Sequence, residues 1–216
     1  MKGMNILITG GNGLVGKSLK KILPFADFPS SQEYDLLKVD DVMNMMEKYS
    51  PDVVVHLAAR VGGILDNINN PVDYLEQNLM MNTNVLRCCH LKGVEREVGM
   101  LSTCTYPDRA PRYPLVEENL FDGPVSSTNF SYGLSKRCMA AHIDSYVKQY
   151  GKKWSYLIPC NLYGEDDKYE EHHSHFVSAL IKKIYENDEF IELWGTGKPL
   201  RQFMYAGDLA RVIKYI

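Results

Sequence analysis

Tyr132 and Lys136 stand four residues apart in Ser131-Tyr132-Gly133-Leu134-Ser135-Lys136, so on a helix they project from one face, a turn from each other. A phenol ionises near a pKa of ~10, too high for acid–base work at neutral pH. An ammonium one turn away lowers that value and can also hold ribose hydroxyls. The spacing alone is common. It gains meaning from Gly10-Gly11-Asn12-Gly13-Leu14-Val15-Gly16 near the start of the chain and from Ser102-Thr103-Cys104-Thr105-Tyr106-Pro107 between the two. Gly10, Gly13 and Gly16 permit a tight turn and close approach of backbone to a pyrophosphate, with N–H donors from a following helix. Ser102 can hydrogen-bond the oxygen that Tyr132 protonates. Together these residues describe a nicotinamide dinucleotide site with Ser-Tyr-Lys proton transfer. The plain alternatives are a half-buried aromatic, a solvated lysine and a strand-end hydroxyl serving the backbone.

Such groups need a scaffold. Asn5–Thr9 is a short apolar run ending in glycines, as a buried parallel strand should be. A helix follows from Leu14 to Leu23, closed by Pro24, and then a weak second strand at Phe25–Phe28. Asp40 or Asp41 can cap a helix through Tyr49. Asp52–Leu57 is the clearest buried strand, Pro71 to His90 reads as helix, and Val98–Leu101 as strand. Residues 105–129, rich in Pro, Ser and Asn, read as a loop across the mouth of the site. Ser131–Tyr150 reads as a helix ended by Gly151, and Trp154–Ile158 as strand. This alternation predicts an α/β fold: a doubly wound parallel sheet of Rossmann type with helices on both faces.

The pattern changes from Asn161. Tyr163–Glu171 is polar and irregular, His175–Tyr185 reads as helix, Phe190–Leu193 as a short strand, and Asp208 as the cap of a last helix. The expected division is residues 1–160 for the cofactor, 161–200 for a small substrate-binding portion, and 201–216 for a returning segment. Because the last helix-like run stops at Ile216, the substrate domain is expected to be incomplete and the chain truncated.

A chain of 216 residues, 45% apolar and 24% charged, can bury a full core. A net charge of −3 gives no reason to expect nucleic acid or membrane partners, and no apolar run is long enough to span a bilayer. Cys88, Cys89, Cys104, Cys138 and Cys160 are odd in number with no Cys-x-x-Cys pair. With no secretory leader ahead of Met4–Thr9, reduced thiols and a cytoplasmic location are expected. His172, His173 and His175 cluster, but not at a metal-ligand spacing, and no metal is expected.

The end of strand two reads Phe28-Pro29-Ser30-Ser31, with Asp27 inside the strand. Small hydroxyl residues leave room for a ribose 2′-phosphate and favour NADP over NAD, although no arginine is near; equally, Ser30 and Ser31 merely begin a loop. Asp35-Leu36 is placed to meet an adenine. After His56, itself read as a core histidine, Leu57-Ala58-Ala59 lets backbone pack against the cofactor.

These segments together resemble the extended short-chain dehydrogenase/reductase family. Within it they are similar to the branch that epimerises and reduces GDP-linked 4-keto-6-deoxy sugars. Beyond the motifs above, the likeness is carried by His56-Leu57-Ala58-Ala59-Arg60-Val61-Gly62-Gly63-Ile64, Pro159-Cys160-Asn161-Leu162-Tyr163-Gly164 and Trp194-Gly195-Thr196-Gly197-Lys198-Pro199-Leu200-Arg201-Gln202-Phe203. The resemblance implies NADPH as cofactor, held by Gly10, Gly13, Leu14, Val15, Gly16, Ser30, Ser31, Asp35, Leu36, Leu57, Ala58, Ala59, Leu101, Ser102, Tyr132, Lys136, Pro159, Asn161, Leu162 and His175. It implies a GDP-sugar substrate bound by Asn161, Lys183, Trp194 and Arg201, and a homodimer. Catalysis would fall to Tyr132, Lys136 and Ser102, with Cys104 as the base beside the ketone and His175 as the acid on the opposite face. Inversion at C3 and C5 and then reduction at C4 would follow.

The chain departs from the branch at Gly164-Glu165-Asp166-Asp167, where Gly-Pro-His-Asp is common, and at Lys183, where arginine is common. Two alternatives stay open: another nucleotide-sugar epimerase or dehydratase, and a catalytically idle NADP-binding module. Dehydratases of the superfamily carry Asp-Glu after the active-site Thr, whereas Thr103 is followed by Cys104-Thr105.

Overall fold

Four short strands make the sheet. β1 (Ile6–Thr9), β2 (Val53–His56), β3 (Arg96–Met100) and β4 (Ser155–Leu157) lie parallel in that order, with Thr9 beside His56 and His56 beside Gly99. The computed structural model describes residues 3–110, 112–169, 176–186, 190–193, 196–198 and 200–216. Helices α1 (Leu14–Ile22), α2 (Val39–Tyr49), α3 (Ile64–Asn69), α4 (Pro71–Leu91), α5 (Phe130–Tyr150), α6 (Phe176–Glu186) and α7 (Ala206–Tyr215) complete the α/β architecture. Side chains alternate along each strand, so Leu7 and Val54 join the core under α2, α4 and α5. Ile6, Ile8 and Val55 join a second core under α1 and α7. The mainly apolar runs of β1 and β2 fit a sheet covered on both faces, whereas β3 carries Arg96 and Glu97 and β4 is only partly buried.

The expected strand at Phe25–Phe28 is reduced to a single bridge, Leu7 to Asp27. Ile8 N donates to Asp27 O at 2.9 Å and Asp27 N to Ile6 O at 2.8 Å. Pro24 and Pro29 bound this segment, and Pro29 has no N–H with which to extend the ladder. The bridge still places Asp27 on the side of β1 away from β2. Connections therefore diverge at β1, and a crevice opens beyond its carboxyl end.

Three helix starts differ from expectation. Neither Asp40 nor Asp41 caps α2; both lie in its first turn, where carboxylates complement the helix dipole, and Asp41 accepts the Asp35 N–H at 3.0 Å. Asp208 likewise sits inside the first turn of α7, paired with Arg211 rather than capping. Helix α3 was not anticipated; its Asn67 donates back to the carbonyls of Gly62 and Gly63 at 3.3 and 3.0 Å. Phe190–Leu193 carries no strand. Instead β5 (Asn161–Tyr163) pairs in parallel with β6 (Phe203–Tyr205), a long-range pairing that no local pattern announces.

Candidate active site

The glycine turn leaves no room for side chains. Gly10 has φ +73°, and a Cβ there would lie 2.7 Å from Ala58 N. One on Gly16 would lie 2.5 Å from both Gly10 O and Gly11 Cα. Gly13 precedes α1 without any side-chain cap, so the first N–H groups of the helix are left for another acceptor. Beside the turn runs a groove of about 120 Å³. A cradle that a Cβ would fill, next to an uncapped helix start, fits a dinucleotide pyrophosphate. Of the expected contacts, Gly10, Gly13, Ser30, Ser31, Leu36 and Ala58 line the groove. Asp35 is instead engaged in its own turn, accepting from Leu37 N at 3.0 Å and facing Lys38. Ser30 donates through both N and Oγ to Glu33, at 2.9 and 3.0 Å, which holds the Glu33 carboxyl below its ordinary range. Leu14 and Val15 open α1, and Val15 packs on the core with Leu57 and Leu162.

A polar line runs inward from the carboxyl end of β1. Thr9 Oγ1 lies 2.7 Å from His56 Nδ1, and His56 Nε2 lies 3.1 Å from Asn82 Oδ1 on α4. Burial pulls the fully enclosed His56 down to about 3, so it stays neutral. It is the core histidine expected. One turn earlier on α4, Asn78 brackets Arg60 by accepting its N–H at 2.9 Å and donating to its carbonyl at 3.1 Å. Tyr74 donates to Asp66 at 2.6 Å, directly under Gly62, where a Cβ would lie 2.3 Å from the phenol. Sequence reasoning missed Tyr74, Asn78 and Asn82; their spacing of four along one helix was the available signal.

Ser102, Cys104, Tyr132 and Lys136 converge where β3 ends against α5. Ser102 caps a 3-10 turn at Thr103–Thr105, accepting from Cys104 N at 3.3 Å. That turn is fixed from both sides. Thr103 N donates to Pro159 O at 3.1 Å, and Arg137 of α5 donates to Thr105 O at 2.5 Å and to Gly123 O at 2.6 Å. Helix α5 touches the turn at Gly133, whose added Cβ would lie 2.5 Å from Cys104 O. Leu101, nearly fully buried, bonds Leu157 O at 2.8 Å and sets the height of Ser102.

Burial pushes the Tyr132 phenol up, the neighbouring Cys104 adds to this, and a hydrogen bond with Ser102 pulls the other way. The Lys136 ammonium lies 5.8 Å from the centre of the Tyr132 ring, on the face that the four-residue spacing implies, and donates to Met100 O at 2.7 Å. Burial draws Lys136 itself down to about 8, with the Glu97 carboxylate opposing. The resting phenol thus holds its proton, the state a general acid needs.

Farther out, Asn161 donates to Gln202 O at 3.0 Å, Lys183 to Glu192 O at 2.8 Å and Arg201 to Leu200 O at 3.2 Å. His175 and Trp194 lie outside the described residues, as do His172 and His173. Among the described residues no group of three His, Cys, Asp or Glu could hold a metal, and no helix is long and apolar enough to cross a membrane.

The NAD dependent epimerase/dehydratase family matches residues 6–216. The chain belongs to that family. It is 38% identical to GDP-L-fucose synthase of Dictyostelium discoideum over 95% of this chain and 67% of the relative. To GDP-L-colitose synthase of Yersinia pseudotuberculosis it is 37% identical over 98% of this chain and 71% of the relative. A solved structure, a GDP-L-fucose synthetase from Naegleria fowleri bound to NADP, superposes with a TM-score of 0.86 at 35% identity, covering 99% of this chain and 72% of that one.

Proposed function

We propose that this protein is an NADPH-dependent epimerase-reductase that converts GDP-4-keto-6-deoxy-mannose to GDP-L-fucose. The observation that carries the reading is Cys104, two residues beyond Ser102 and near enough to Tyr132 to act on its phenol. A plain reductase needs Ser102, Tyr132 and Lys136; a thiol at the same carbonyl suits a further proton transfer. The NADP-bound relative and the fit of the glycine cradle support the cofactor.

The chain's own residues divide the work. The C4 ketone acidifies the hydrogens at C3 and C5. Cys104 Sγ, once deprotonated, takes one of them, and His175 returns a proton on the opposite face. Tyr132 Oη then gives its proton to O4 while Ser102 Oγ holds the same oxygen. The ammonium of Lys136 balances the charge left on Tyr132. NADPH, when bound, supplies hydride to C4. Gly10, Gly13 and the first turn of α1 would hold its pyrophosphate, with Ser30, Ser31 and Leu36 toward the adenosine end. Lys20, which reaches back to Asn12 at 2.9 Å and lies over Phe28, is the cation we assign to a 2′-phosphate. Asn161, Lys183, Arg201 and Trp194 belong to the substrate portion, residues 161–200 and the start of the returning segment. A cytoplasmic homodimer using the outer faces of α4 and α5, where Met80 and Val147 are exposed, completes the reading.

The colitose-forming relative favours a second reading, in which the substrate lacks the C3 hydroxyl. Purified protein mixed with NADPH and GDP-4-keto-6-deoxy-mannose tests both. Loss of NADPH absorbance with formation of GDP-L-fucose is expected. Turnover only of the 3-deoxy analogue would move the assignment to the second reading. Binding of NADPH with no turnover of either sugar would leave an idle module and sink the proposal.

A further inference from the structure

Asn82 stands where two local rules advise against it. It lies in the interior of α4, where asparagine is a poor helix former. It is also almost fully buried, with its Nδ2 left without a hydrogen-bond partner. Leucine would suit the position better on both counts. A residue that breaks local rules inside a packed core points to a task, and the contact that suggests one is Oδ1 with His56 Nε2 at 3.1 Å.

That contact gives the polar line its direction. Oδ1 only accepts, so His56 carries its proton on Nε2 and leaves Nδ1 as an acceptor. Thr9 Oγ1, 2.7 Å away, therefore donates its proton to Nδ1 and keeps its lone pairs for other donors. One of these receives the Ala58 N–H at 3.3 Å. Thr9 and His56 are the last pair of the β1–β2 ladder, and just beyond them the Thr9 side chain takes over from the sheet. What it holds is the floor of the cradle. Thr9, Gly10 and Ala58 line the groove, and Gly10 sits so close to Ala58 N that a Cβ would be 2.7 Å away. Thr9 and His56 are buried as well, which shields the line from water.

We propose that Asn82, acting through His56 and Thr9, is a positioning residue for the cofactor: it holds Ala58 against Gly10 and so sets the shape of the pyrophosphate crevice. Asn82 is not among the residues that line the groove, so its effect passes through the line. The inference rests on the cradle binding the dinucleotide, and not on which sugar is turned over.

Two readouts on the full chain test it. Fluorescence titration should show NADPH bound about fivefold to tenfold more weakly in Asn82→Leu and in Thr9→Val, each of which breaks the line. Thr9→Ser, which keeps the hydroxyl, should bind as the parent does. The variant carrying both Asn82→Leu and Thr9→Val should bind no worse than the weaker of the two alone, because the effects share one line. Nitrogen-15 NMR of labelled histidine, with His56 assigned by its loss in His56→Gln, should find the proton on Nε2 in the parent and no longer fixed there in Asn82→Leu. Asn82→Ala gives the same readings if leucine packs too tightly to fold. Parental NADPH affinity in folded Asn82 variants, even with a lower melting temperature, would mean a structural role only and overturn the inference. So would additive losses in the double variant, or a parent His56 protonated on Nδ1. A parent protein with no affinity for NADPH would sink the cofactor reading and the inference with it.

Discussion

At the scale of single residues, the two proton transfers separate by side chain. In the proposed reaction Tyr132→Phe removes the acid for O4 but leaves the thiol, so NADPH oxidation should fall by about a hundredfold or more while deuterium from solvent still enters the sugar at C3 and C5. Cys104→Ala should do the reverse to exchange, stopping it while NADPH affinity stays unchanged. Loss of both functions in either variant would mean that the turn at Thr103–Thr105 had collapsed. His56 offers a stability reading with a definite sign. Its folded value, about 3, lies below the ordinary 6.5. Above pH ~6.5 both states are neutral there; between ~6.5 and ~3 the unfolded chain takes a proton that the folded one refuses. Stability should therefore fall as the pH is lowered through that window, by up to about 5 kcal/mol, and the slope should be shallower in His56→Gln. Melting curves at a series of pH values would decide it; equal slopes would show that His56 is not the group responsible.

At the scale of elements, much was legible and the gaps have physical causes. The long helices α4 and α5 and the strands β1 and β2 follow from apolar runs, Gly151 and proline punctuation, all local; β3 begins two residues before the expected Val98, at Arg96-Glu97, because its pairing with Val53 and Val54 is a tertiary contact. The bridge at Asp27, helix α3 and the β5–β6 pair depend on partners distant in sequence, so no window of residues could reveal them. The site divides the same way. Tyr132, Ser102 and the glycines were readable from motif and context, whereas the Lys136 anchor on Met100 is a tertiary contact that helical spacing does not reveal. Arg137 is another such residue. Its guanidinium ties α5 to the turn carrying Cys104 and to Gly123 of the mouth loop. Charge-assisted hydrogen bonds of this kind contribute about 2 kcal/mol together with the order they impose. Arg137→Ala should lower the melting temperature and raise the keto-sugar KM, with the NADPH dissociation constant unmoved; a change confined to NADPH would place Arg137 elsewhere in the mechanism.

At the scale of the whole molecule, the sheet sets two sites side by side. The cradle lies at the carboxyl end of β1, the thiol and phenol at that of β3, and β2 with His56 joins them across the sheet. Gly10 packs on Ala58 at the end of β2, so the cradle and the sheet edge are one structure rather than a loop resting on it. Gly16 is the tightest point, because any side chain there meets Gly10 and Gly11 before it meets solvent. Gly16→Val should therefore displace the turn, cost about 1–3 kcal/mol by overpacking, and weaken NADPH binding by tenfold or more. The thiol site, held separately by Pro159, Arg137 and Gly133, should be untouched, so Cys104 should react with a maleimide at the parental rate. Fluorescence titration of NADPH and the rate of that labelling measure the two ends independently. Loss of both would mean that the cradle and the catalytic turn fold as one unit; intact NADPH binding would mean that the pyrophosphate is not held at this turn.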